Sequence, residues 1–367
     1  MDSFALMIHP LDESDITKKF PAARYLPDFI IAQALKYAPP FKVCEITGVA
    51  SKHNQAGGWM IGCPLTARQI LKLPEAFVVN KIIRAGRIAE KLGAKILGLG
   101  AYTSVVGDAG ITVAKNLGIP VTTGNSYTVA AAIEGTRMAA RIMGHDIDAA
   151  NVTVIGATGP LGSVCADMLA REVKSMTLVG KNEVELHRLA NHILYNTGLV
   201  VKISLNVAEA LKKADIVMCA TNSVEMLINP ADLKPGVIVC DVSRPARVSK
   251  KVAKIRNDVL VIEEILVQVP GDVNFNLNFG LPPGMACASM AEAMILALEG
   301  RYENFTLGRD LNINQVTEIN RLAKKHGFRV AGFRSFDCIV ILDNLRQSLY
   351  NIPIKKDGCT VAKTSFC

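Results

Sequence analysis

The sequence predicts an α/β protein built around a doubly wound parallel sheet. Strand-like and helix-like segments alternate along most of the chain, which is typical of parallel strands covered by helices. A glycine-rich turn at 156–162 also separates an apolar strand from a helix, as it does in nucleotide-binding folds. With 367 residues, half of them apolar, the chain is long enough for two domains with hydrophobic cores.

Residues 1–127 are predicted to form an N-terminal α/β substrate domain, because strands and helices alternate there without a phosphate-binding loop. The predicted strands are Phe41–Val49, Lys95–Leu99 and Ile119–Val121, and the predicted helices are Thr66–Lys72 and Glu75–Leu92. Two polar clusters, Gly100–Ser104 and Thr122–Tyr127, come directly after the second and third of these strands.

Residues 128–284 are predicted to form a Rossmann-type doubly wound parallel sheet that binds NADP. A connecting helix at Thr128–Met143 ends at Gly144. The strands that follow are Val152–Ile155, Met176–Val179, Val200–Ile203, Ile216–Cys219 and Val237–Val242, and the helices among them are Ser163–Arg171, Glu183–Asn196 and Val207–Lys212. Residues 285–352 are expected to be a C-terminal helical segment that packs between the domains, and residues 353–367 a mobile tail.

The glycine-rich turn has the spacing G-x-x-G-x-x-G in a strand–turn–helix context. Its residues are Gly156, Ala157, Thr158, Gly159, Pro160, Leu161 and Gly162. Glycines allow a tight turn and close approach of the backbone to a pyrophosphate, whose charge is stabilised by free N–H groups at the helix start. We therefore expect these residues to bind the cofactor.

The choice of nucleotide depends on the residues that follow the second strand of this fold. NAD-binding folds usually place an acidic residue there to hold the ribose hydroxyls, whereas this chain has Gly180-Lys181-Asn182. The cation of Lys181 suits a 2′-phosphate, so NADPH is the expected cofactor. In the alternative, Lys181 is a solvated surface residue and Glu183 binds the ribose. Further along the chain, Ala220, Thr221 and Asn222 end a strand and are expected to line the nicotinamide pocket.

Composition excludes several other classes of function. The nine cysteines form no C-x-x-C pair and no cluster with metal-ligand spacing, so no metal site is expected. The formal net charge is +8, but the basic residues are dispersed and only 5% of residues are aromatic, which argues against nucleic-acid binding. The charge is compatible with an acidic partner protein, a phosphorylated cofactor or peripheral contact with an anionic membrane.

No apolar run is long enough for a membrane span and the first residues do not resemble a signal peptide, so a cytoplasmic location is expected.

Cys287 is the candidate nucleophile. It follows Pro282-Pro283-Gly284 by three residues and is predicted to lie in the first turn of the nearly apolar helix Met285–Glu299. Free N–H groups at a helix start favour the thiolate form of a cysteine, and the thiolate is the nucleophile. An apolar helix face next to such a thiol suits covalent acyl transfer from an aliphatic substrate. The alternative is a buried structural cysteine.

Five segments in order carry a resemblance to a known family. They are Leu99-Gly100-Ala101-Tyr102-Thr103-Ser104, Thr122-Thr123-Gly124-Asn125-Ser126-Tyr127-Thr128, Val154-Ile155-Gly156-Ala157-Thr158-Gly159, Ala291-Glu292-Ala293-Met294 and Glu303-Asn304-Phe305. From about Phe4 to Phe328 the chain resembles the long-chain fatty acyl-carrier-protein reductases of cyanobacteria. The resemblance implies NADPH-dependent reduction of a fatty acyl thioester, carried on acyl carrier protein or coenzyme A, to a fatty aldehyde through a cysteine-bound acyl intermediate.

The resemblance also assigns roles to single residues. The family's nucleophile lies two residues before Ala-Glu-Ala-Met, a position occupied here by Ser289, so either Cys287 takes the role or this relative lacks the acyl-enzyme step. Lys81 matches a lysine of the family and could supply charge or a proton. Asn125, Thr103 and Ser104 could stabilise an oxyanion. Tyr127 replaces the family's histidine.

Two further functions compete with acyl reduction. Shikimate-dehydrogenase-like proteins share the order of a substrate domain followed by a nucleotide domain, which suggests an NADP-dependent alcohol or keto-acid oxidoreductase without a covalent intermediate. In such an enzyme Lys81 and Asp108 could be the proton-transfer partners. A nucleotide-binding protein that has lost catalysis is the third possibility, since the serine at 289 interrupts the family's pattern.

Overall fold

A computed structural model describes residues 2–221, 228–243, 252, 255–256, 258–335 and 338–341 of the chain. The backbone divides into two compact units. The first unit comprises Met1–Tyr127, Gln268–Leu311 and Thr317–Arg329. The second comprises Thr128–Val267, Asn312–Val316 and the described residues from Val330 onward.

Strands and helices alternate over much of both units. The strands are β1 (Asp2–Ile8), β2 (Phe41–Ala50), β3 (Gln55–Gly62), β4 (Leu97–Gly98), β5 (Val121–Thr122), β6 (Asn151–Ile155), β7 (Ser175–Val179), β8 (Lys202–Ser204), β9 (Ile216–Cys219), β10 (Ile238–Asp241), β11 (Leu260–Ile262), β12 (Glu264–Gln268), β13 (Met285–Cys287), β14 (Arg329–Ser335) and β15 (Cys338–Ile341). The α-helices are α1 (Glu13–Lys19), α2 (Asp28–Tyr37), α3 (Ala67–Lys72), α4 (Glu75–Lys91), α5 (Ile111–Lys115), α6 (Asn125–Ile142), α7 (Pro160–Leu169), α8 (Glu183–Thr197), α9 (Val207–Leu211), α10 (Ala288–Glu299) and α11 (Ile313–His326). Short 3₁₀ turns span Pro21–Tyr25, Ala101–Ser104 and Pro230–Asp232.

The first unit contains a five-stranded sheet in the order β2-β3-β1-β4-β5. All neighbours are parallel except β2 and β3, which are antiparallel. Ala5 and Met7 of β1 belong to a buried apolar cluster with Val78 and Ile82 of α4, whereas α10 packs against β1, β3 and β4. The carboxyl ends of β1, β4 and β5 therefore open on one edge of this sheet, where ligands bind in α/β proteins.

The second unit contains a six-stranded, wholly parallel sheet in the order β8-β7-β6-β9-β10-β11. Counted from β6, this is the order 3-2-1-4-5-6 of dinucleotide-binding folds, with the topological switch between β6 and β9. The central strands β6, β9 and β10 are buried along nearly their whole length, as parallel sheets covered on both faces require. The predicted α/β class with a Rossmann-type doubly wound sheet is confirmed.

Three local predictions differ from the structure. Residues 285–352, predicted as a helical segment, contain α10 and α11 but also β13, β14 and β15; buried Val330, which is β-branched, and buried Phe333, which is aromatic, are residue types that favour a strand in β14. The helix after the glycine turn begins at Pro160 rather than Ser163, because proline is pre-set for the first helical position. Cys287 ends β13 and is the N-cap of α10 rather than part of its first turn. The predicted tail, 353–367, lies outside the described residues.

Within the described ranges, no helix is both long enough and apolar enough to cross a membrane. The same part of the chain holds no group of three or more His, Cys, Asp or Glu residues that could bind a metal ion.

Candidate functional site

The glycine turn of the second unit follows β6 directly and is held by close backbone contacts. Gly156 has a φ of +74°, and a Cβ atom there would lie 2.7 Å from the carbonyl oxygen of Ala220. A Cβ atom on Gly162 would lie 2.1 Å from the carbonyl oxygen of Gly156. Both glycines are therefore required by the packing of the protein itself.

Gly159 differs from the other two glycines. The nearest atom to a Cβ placed there is the Gly156 oxygen, at 3.3 Å, so packing within the chain demands glycine much less strictly. Gly159 is the N-cap of α7, and no side chain caps the free N–H groups of the first helical turn. A small residue beside uncapped N–H groups fits the pyrophosphate of a dinucleotide, which needs close backbone approach and a positive helix end.

The ends of β7 and β9 complete this edge of the second sheet. The N–H groups of Gly156 and Ala157 both donate to the carbonyl of Val179 at the end of β7, at 2.9 and 3.0 Å. Ala220 donates to Ile155 at 2.9 Å. The structure therefore brings the predicted residues 156–162, Ala220 and Thr221 together at the switch point between β6 and β9, while Asn222 lies outside the described residues.

Buried polar groups join the ends of β9 and β10 next to the glycine turn. Thr221 donates its N–H to the hydroxyl of Ser243 at 3.1 Å, and the N–H of Ser243 donates to the buried carboxylate of Asp241 at 2.9 Å. These contacts join the ends of β9 and β10. Thr221 and Ser243 are more than twenty residues apart in sequence, so no local pattern indicates this contact.

Both candidate ribose-binding residues lie just after β7. Lys181 is exposed two residues beyond Val179. Asn182 caps α8 through hydrogen bonds from the N–H groups of Val184 and Glu185. Glu183, also exposed, lies 4.0 Å from His187 on the next turn of the helix. A cation is therefore available at this strand end, with an acid in the adjoining helix turn.

The first unit contains a buried carboxylate at the carboxyl edge of its sheet. Glu292 of α10 is fully buried, and its carboxylate accepts hydrogen bonds from the hydroxyls of Thr122 and Thr306 and from the N–H of Tyr127. Burial raises the pKa of Glu292, although these hydrogen bonds and one from the Gly124 N–H oppose the rise. Glu292 thereby joins α10 to the end of β5 and the first turn of α6.

The same junction brings two predicted site segments into contact. Gly124 has a φ of +79°, and a Cβ atom there would lie 2.2 Å from the carbonyl oxygen of Ser289. The turn that carries Asn125 therefore lies directly against the first turn of α10. Cys287 and Ser289 are both half-buried at the start of that helix, and Asn125, the first residue of α6, is half-buried as well.

Cys287 differs from most of the other described cysteines in its surroundings. Cys63, Cys165, Cys219 and Cys240 are buried. Burial raises the pKa of Cys63 to about 12 and raises the pKa of Cys165 and Cys219 further. Cys44 is half-buried, but its thiol donates to the carbonyl of Phe275 at 3.1 Å. Cys287 alone among these described thiols lies at the start of an α-helix.

Lys81 is buried in α4 with its ammonium at the end of another helix. Its Nζ donates to the carbonyls of Leu35 at 2.9 Å and Lys36 at 2.5 Å, in the last turn of α2. Burial lowers the pKa of Lys81. Asp108 caps α5 instead, accepting hydrogen bonds from the N–H and hydroxyl of Thr112. The structure thus gives these two residues different partners, and no contact joins their side chains.

The other predicted site residues, Thr103, Ser104 and Tyr127, already make contacts within the protein. Thr103 donates its hydroxyl to the carbonyl of Gly100 at 2.7 Å, and Ser104 donates to Ala101 at 2.6 Å. Tyr127 is buried, with its ring edge-on to Phe328 at 6.5 Å between centroids.

Sequence reasoning missed His9, which follows β1 directly. Its Nε2 accepts a hydrogen bond from the N–H of Tyr102 at 3.2 Å, so its Nδ1 must carry the proton that is donated to Pro10, at 2.9 Å. Burial lowers the pKa of His9, which favours this neutral form. The role of Glu292 was missed too, although a lone carboxylate within an apolar helix was a signal in the sequence.

One family model matches the part of the chain that contains the glycine turn. Residues 137–265, all in the second unit, match the family "Shikimate / quinate 5-dehydrogenase". Among solved structures, the Delta(1)-pyrroline-2-carboxylate reductase of Thermococcus litoralis aligns over 55% of this chain and 66% of its own, with 16% identity and a TM-score of 0.33.

Two curated proteins are similar over most of the chain. The aminotransferase PigE of Serratia sp. (strain ATCC 39006) is 28% identical over 277 residues, which cover 74% of this chain and 32% of PigE. The long-chain acyl-[acyl-carrier-protein] reductase of Synechococcus elongatus is 28% identical over 307 residues, which cover 80% of this chain and 88% of the reductase. The chain thus spans about a third of PigE and most of the reductase. Together with the family match, these similarities support a relative of the NAD(P)-dependent oxidoreductases and imply a nicotinamide cofactor.

Proposed function

We propose that this protein reduces a fatty acyl thioester, on acyl carrier protein or coenzyme A, to a fatty aldehyde with NADPH. The proposal rests on one observation above all. Cys287 is half-buried at the N-cap position of the apolar helix α10, whose first turn packs against the polar turn that carries Asn125. Similarity to the acyl reductase of Synechococcus elongatus supports the same chemistry.

The chain's own groups would act in sequence. The Cys287 thiolate attacks the thioester carbonyl carbon, and the carrier thiolate leaves as the acyl-enzyme forms. The glycine turn at 156–162 would hold the pyrophosphate, with Lys181 on the 2′-phosphate. The bound cofactor supplies the hydride that reduces the acyl group. Asn125 could donate a hydrogen bond to the substrate oxygen from the start of α6.

Ser289 is the competing position for the nucleophile. A serine needs an adjacent general base to become nucleophilic, whereas a thiolate at a helix start does not. Among the described residues, no histidine or carboxylate makes a hydrogen bond to the hydroxyl of Ser289. We therefore assign the nucleophile to Cys287, and Ser289 to packing against Gly124.

Mass spectrometry of the intact protein tests this assignment. Wild-type protein mixed with palmitoyl-CoA or palmitoyl carrier protein, without NADPH, should gain one acyl group, on the peptide that contains Cys287. Cys287→Ser should lose acylation and reduction together, while Ser289→Ala should keep both. An unmodified wild-type protein would count against the covalent step.

The family match favours a second candidate, a dehydrogenase acting on a hydroxy or keto acid. That match covers residues 137–265 only, which leaves Lys81 and Asp108 outside it. The separate contacts of these two side chains, with α2 and α5, argue against a shared proton relay. A dehydrogenase of this kind would keep its turnover in Cys287→Ser.

A further inference from the structure

One buried hydroxyl of the first unit has no hydrogen-bond partner. Thr123 follows β5 directly and is 1% exposed, and its Oγ1 is one of three such unpartnered atoms among the described residues. A buried hydroxyl without a partner costs about 1–3 kcal/mol of stability. An unpartnered buried hydroxyl does not stabilise the fold, so its presence needs another explanation, such as a hydrogen bond to a ligand.

Thr123 differs from the nearby residues Thr122 and Ser126, whose hydroxyl groups both make hydrogen bonds. Thr122 donates to Glu292, and Ser126 shares a hydrogen bond of 2.8 Å with Thr306. The predicted oxyanion donors Thr103 and Ser104 have already given their protons to backbone carbonyls. Among the described residues of the first unit, Thr123 is thus the residue with a buried hydroxyl that makes no hydrogen bond.

The loop that faces the methyl group of Thr123 is strained, and the side-chain atoms around that methyl group are apolar. The Thr123 methyl carbon lies 3.5 Å from the position of a Cβ on Gly110, where Leu99 and Leu307 also converge. The loop between β4 and α5 contains Ala101 and Ala109, both with positive φ, at 44° and 52°. Non-glycine residues with positive φ cost energy and cluster at ligand sites. An apolar setting also strengthens any hydrogen bond that Thr123 makes.

Thr123 directly precedes Gly124, which contacts the start of α10. The following residue, Gly124, packs against the backbone of Ser289, two positions after the Cys287 cap. The unpartnered hydroxyl and the candidate nucleophile therefore belong to two segments that touch.

We propose that the Thr123 hydroxyl donates a hydrogen bond to the carbonyl oxygen of the acyl substrate. This inference rests on the proposed function. When the Cys287 thiolate forms its bond to the carbonyl carbon, the π electron pair moves to oxygen, and Thr123 stabilises the resulting negative charge. The pair returns as the carbon–sulfur bond to the carrier breaks, and the carrier leaves as a thiolate. Thr123 keeps its proton throughout.

Thr123→Val, which keeps the shape and removes the hydroxyl, gives the decisive test. Turnover with palmitoyl-CoA should fall about 100-fold, the usual effect of losing one oxyanion donor, and Thr123→Ser should restore most of it. Stability in urea should be unchanged or higher, because an unpartnered polar group has been removed. Thr122→Val is the matched control. It removes a hydroxyl bonded to Glu292 and should lower stability. A Thr123→Val protein with wild-type turnover, or with a loss of stability like that of Thr122→Val, would overturn the inference.

A binding measurement separates this inference from the proposed function. Hexadecanal titrated into the NADP⁺-loaded protein can be followed by the fluorescence of Trp59, the single tryptophan, which packs on the apolar cluster below the site. Thr123→Val should raise the Kd about tenfold relative to Thr123→Ser, whether or not the wild type turns over thioesters. Equal Kd values would reject the role of Thr123. An inactive wild type with unequal Kd values would reject only the reductase proposal.

Discussion

Replacing Glu292 should destabilise the first unit more than any nearby surface change. Its carboxylate accepts hydrogen bonds from two backbone N–H groups, of Gly124 and Tyr127, and from the hydroxyls of Thr122 and Thr306. In Glu292→Ala the hydroxyls can rotate toward other acceptors, but the two buried N–H groups cannot. At about 1–3 kcal/mol for each stranded donor, the free energy of unfolding should fall by about 2–6 kcal/mol.

Glu292→Gln separates the hydrogen bonds from the charge. The amide oxygen can still accept from both N–H groups, and the hydroxyls of Thr122 and Thr306 can turn to accept from the amide nitrogen. Since burial already disfavours the charged carboxylate, the loss should be smaller, about 1–2 kcal/mol.

Urea unfolding followed by Trp59 fluorescence measures these losses in the first unit itself. Glu303→Ala is the control, because Glu303 is more than half exposed and pairs with Arg301 at the surface. Its effect should stay within about 0.5 kcal/mol. If Glu292→Ala and Glu303→Ala unfold at the same urea concentration with equal slopes, the carboxylate does not hold the β5 end to α10, and the reasoning fails.

Three further predictions concern the cofactor and pH. Gly159→Ala should leave urea stability nearly unchanged yet weaken NADPH binding at least tenfold by calorimetry, whereas Gly162→Ala should lower stability, because a Cβ atom on Gly162 would lie 2.1 Å from the Gly156 carbonyl oxygen and one on Gly159 would lie 3.3 Å from it. Lys181→Ala should weaken NADPH binding by about 1–2 kcal/mol and leave NADH binding unchanged; equal losses for both nucleotides would contradict a role at the 2′-phosphate. Burial lowers the pKa of His326 despite its hydrogen bond to Glu299, so the unfolded chain binds a proton that the folded chain resists. Thermal stability should therefore fall as pH drops below about 6.5, and His326→Gln should show a shallower fall; parallel pH profiles would assign the effect to other groups.

Local sequence patterns predict the fold of the second unit. The glycine turn, its flanking strand and its helix are close in the chain, and the steric demands on Gly156 and Gly162 come from the turn itself and the neighbouring end of β9. The strand succession then fixes a parallel sheet because crossovers in such sheets are right-handed. The strand–turn–helix position of the glycine turn could therefore be predicted from the sequence, and its role in binding a nucleotide stays a prediction.

The first unit was harder to read because distant residues build its site. Thr122 and Glu292 are 170 residues apart in sequence, and no periodicity links them. The central strand β1 is a short apolar run, which periodicity alone does not distinguish from a buried helix segment. The unpartnered state of Thr123 depends on the partners of every neighbouring hydroxyl, and a sequence pattern does not encode those.

The start of α10 decides between the two candidate nucleophiles. A count without gaps places the family's cysteine at Ser289, which lies in the first turn of α10, whereas Cys287 precedes the helix as its N-cap. Cys287 is extended and caps the helix, a position from which a side chain can reach the N–H groups of the first turn. Ser289 lies within that turn, with its backbone against Gly124. We therefore propose that the helix start favours a thiolate at 287 over a hydroxyl at 289 as the nucleophile.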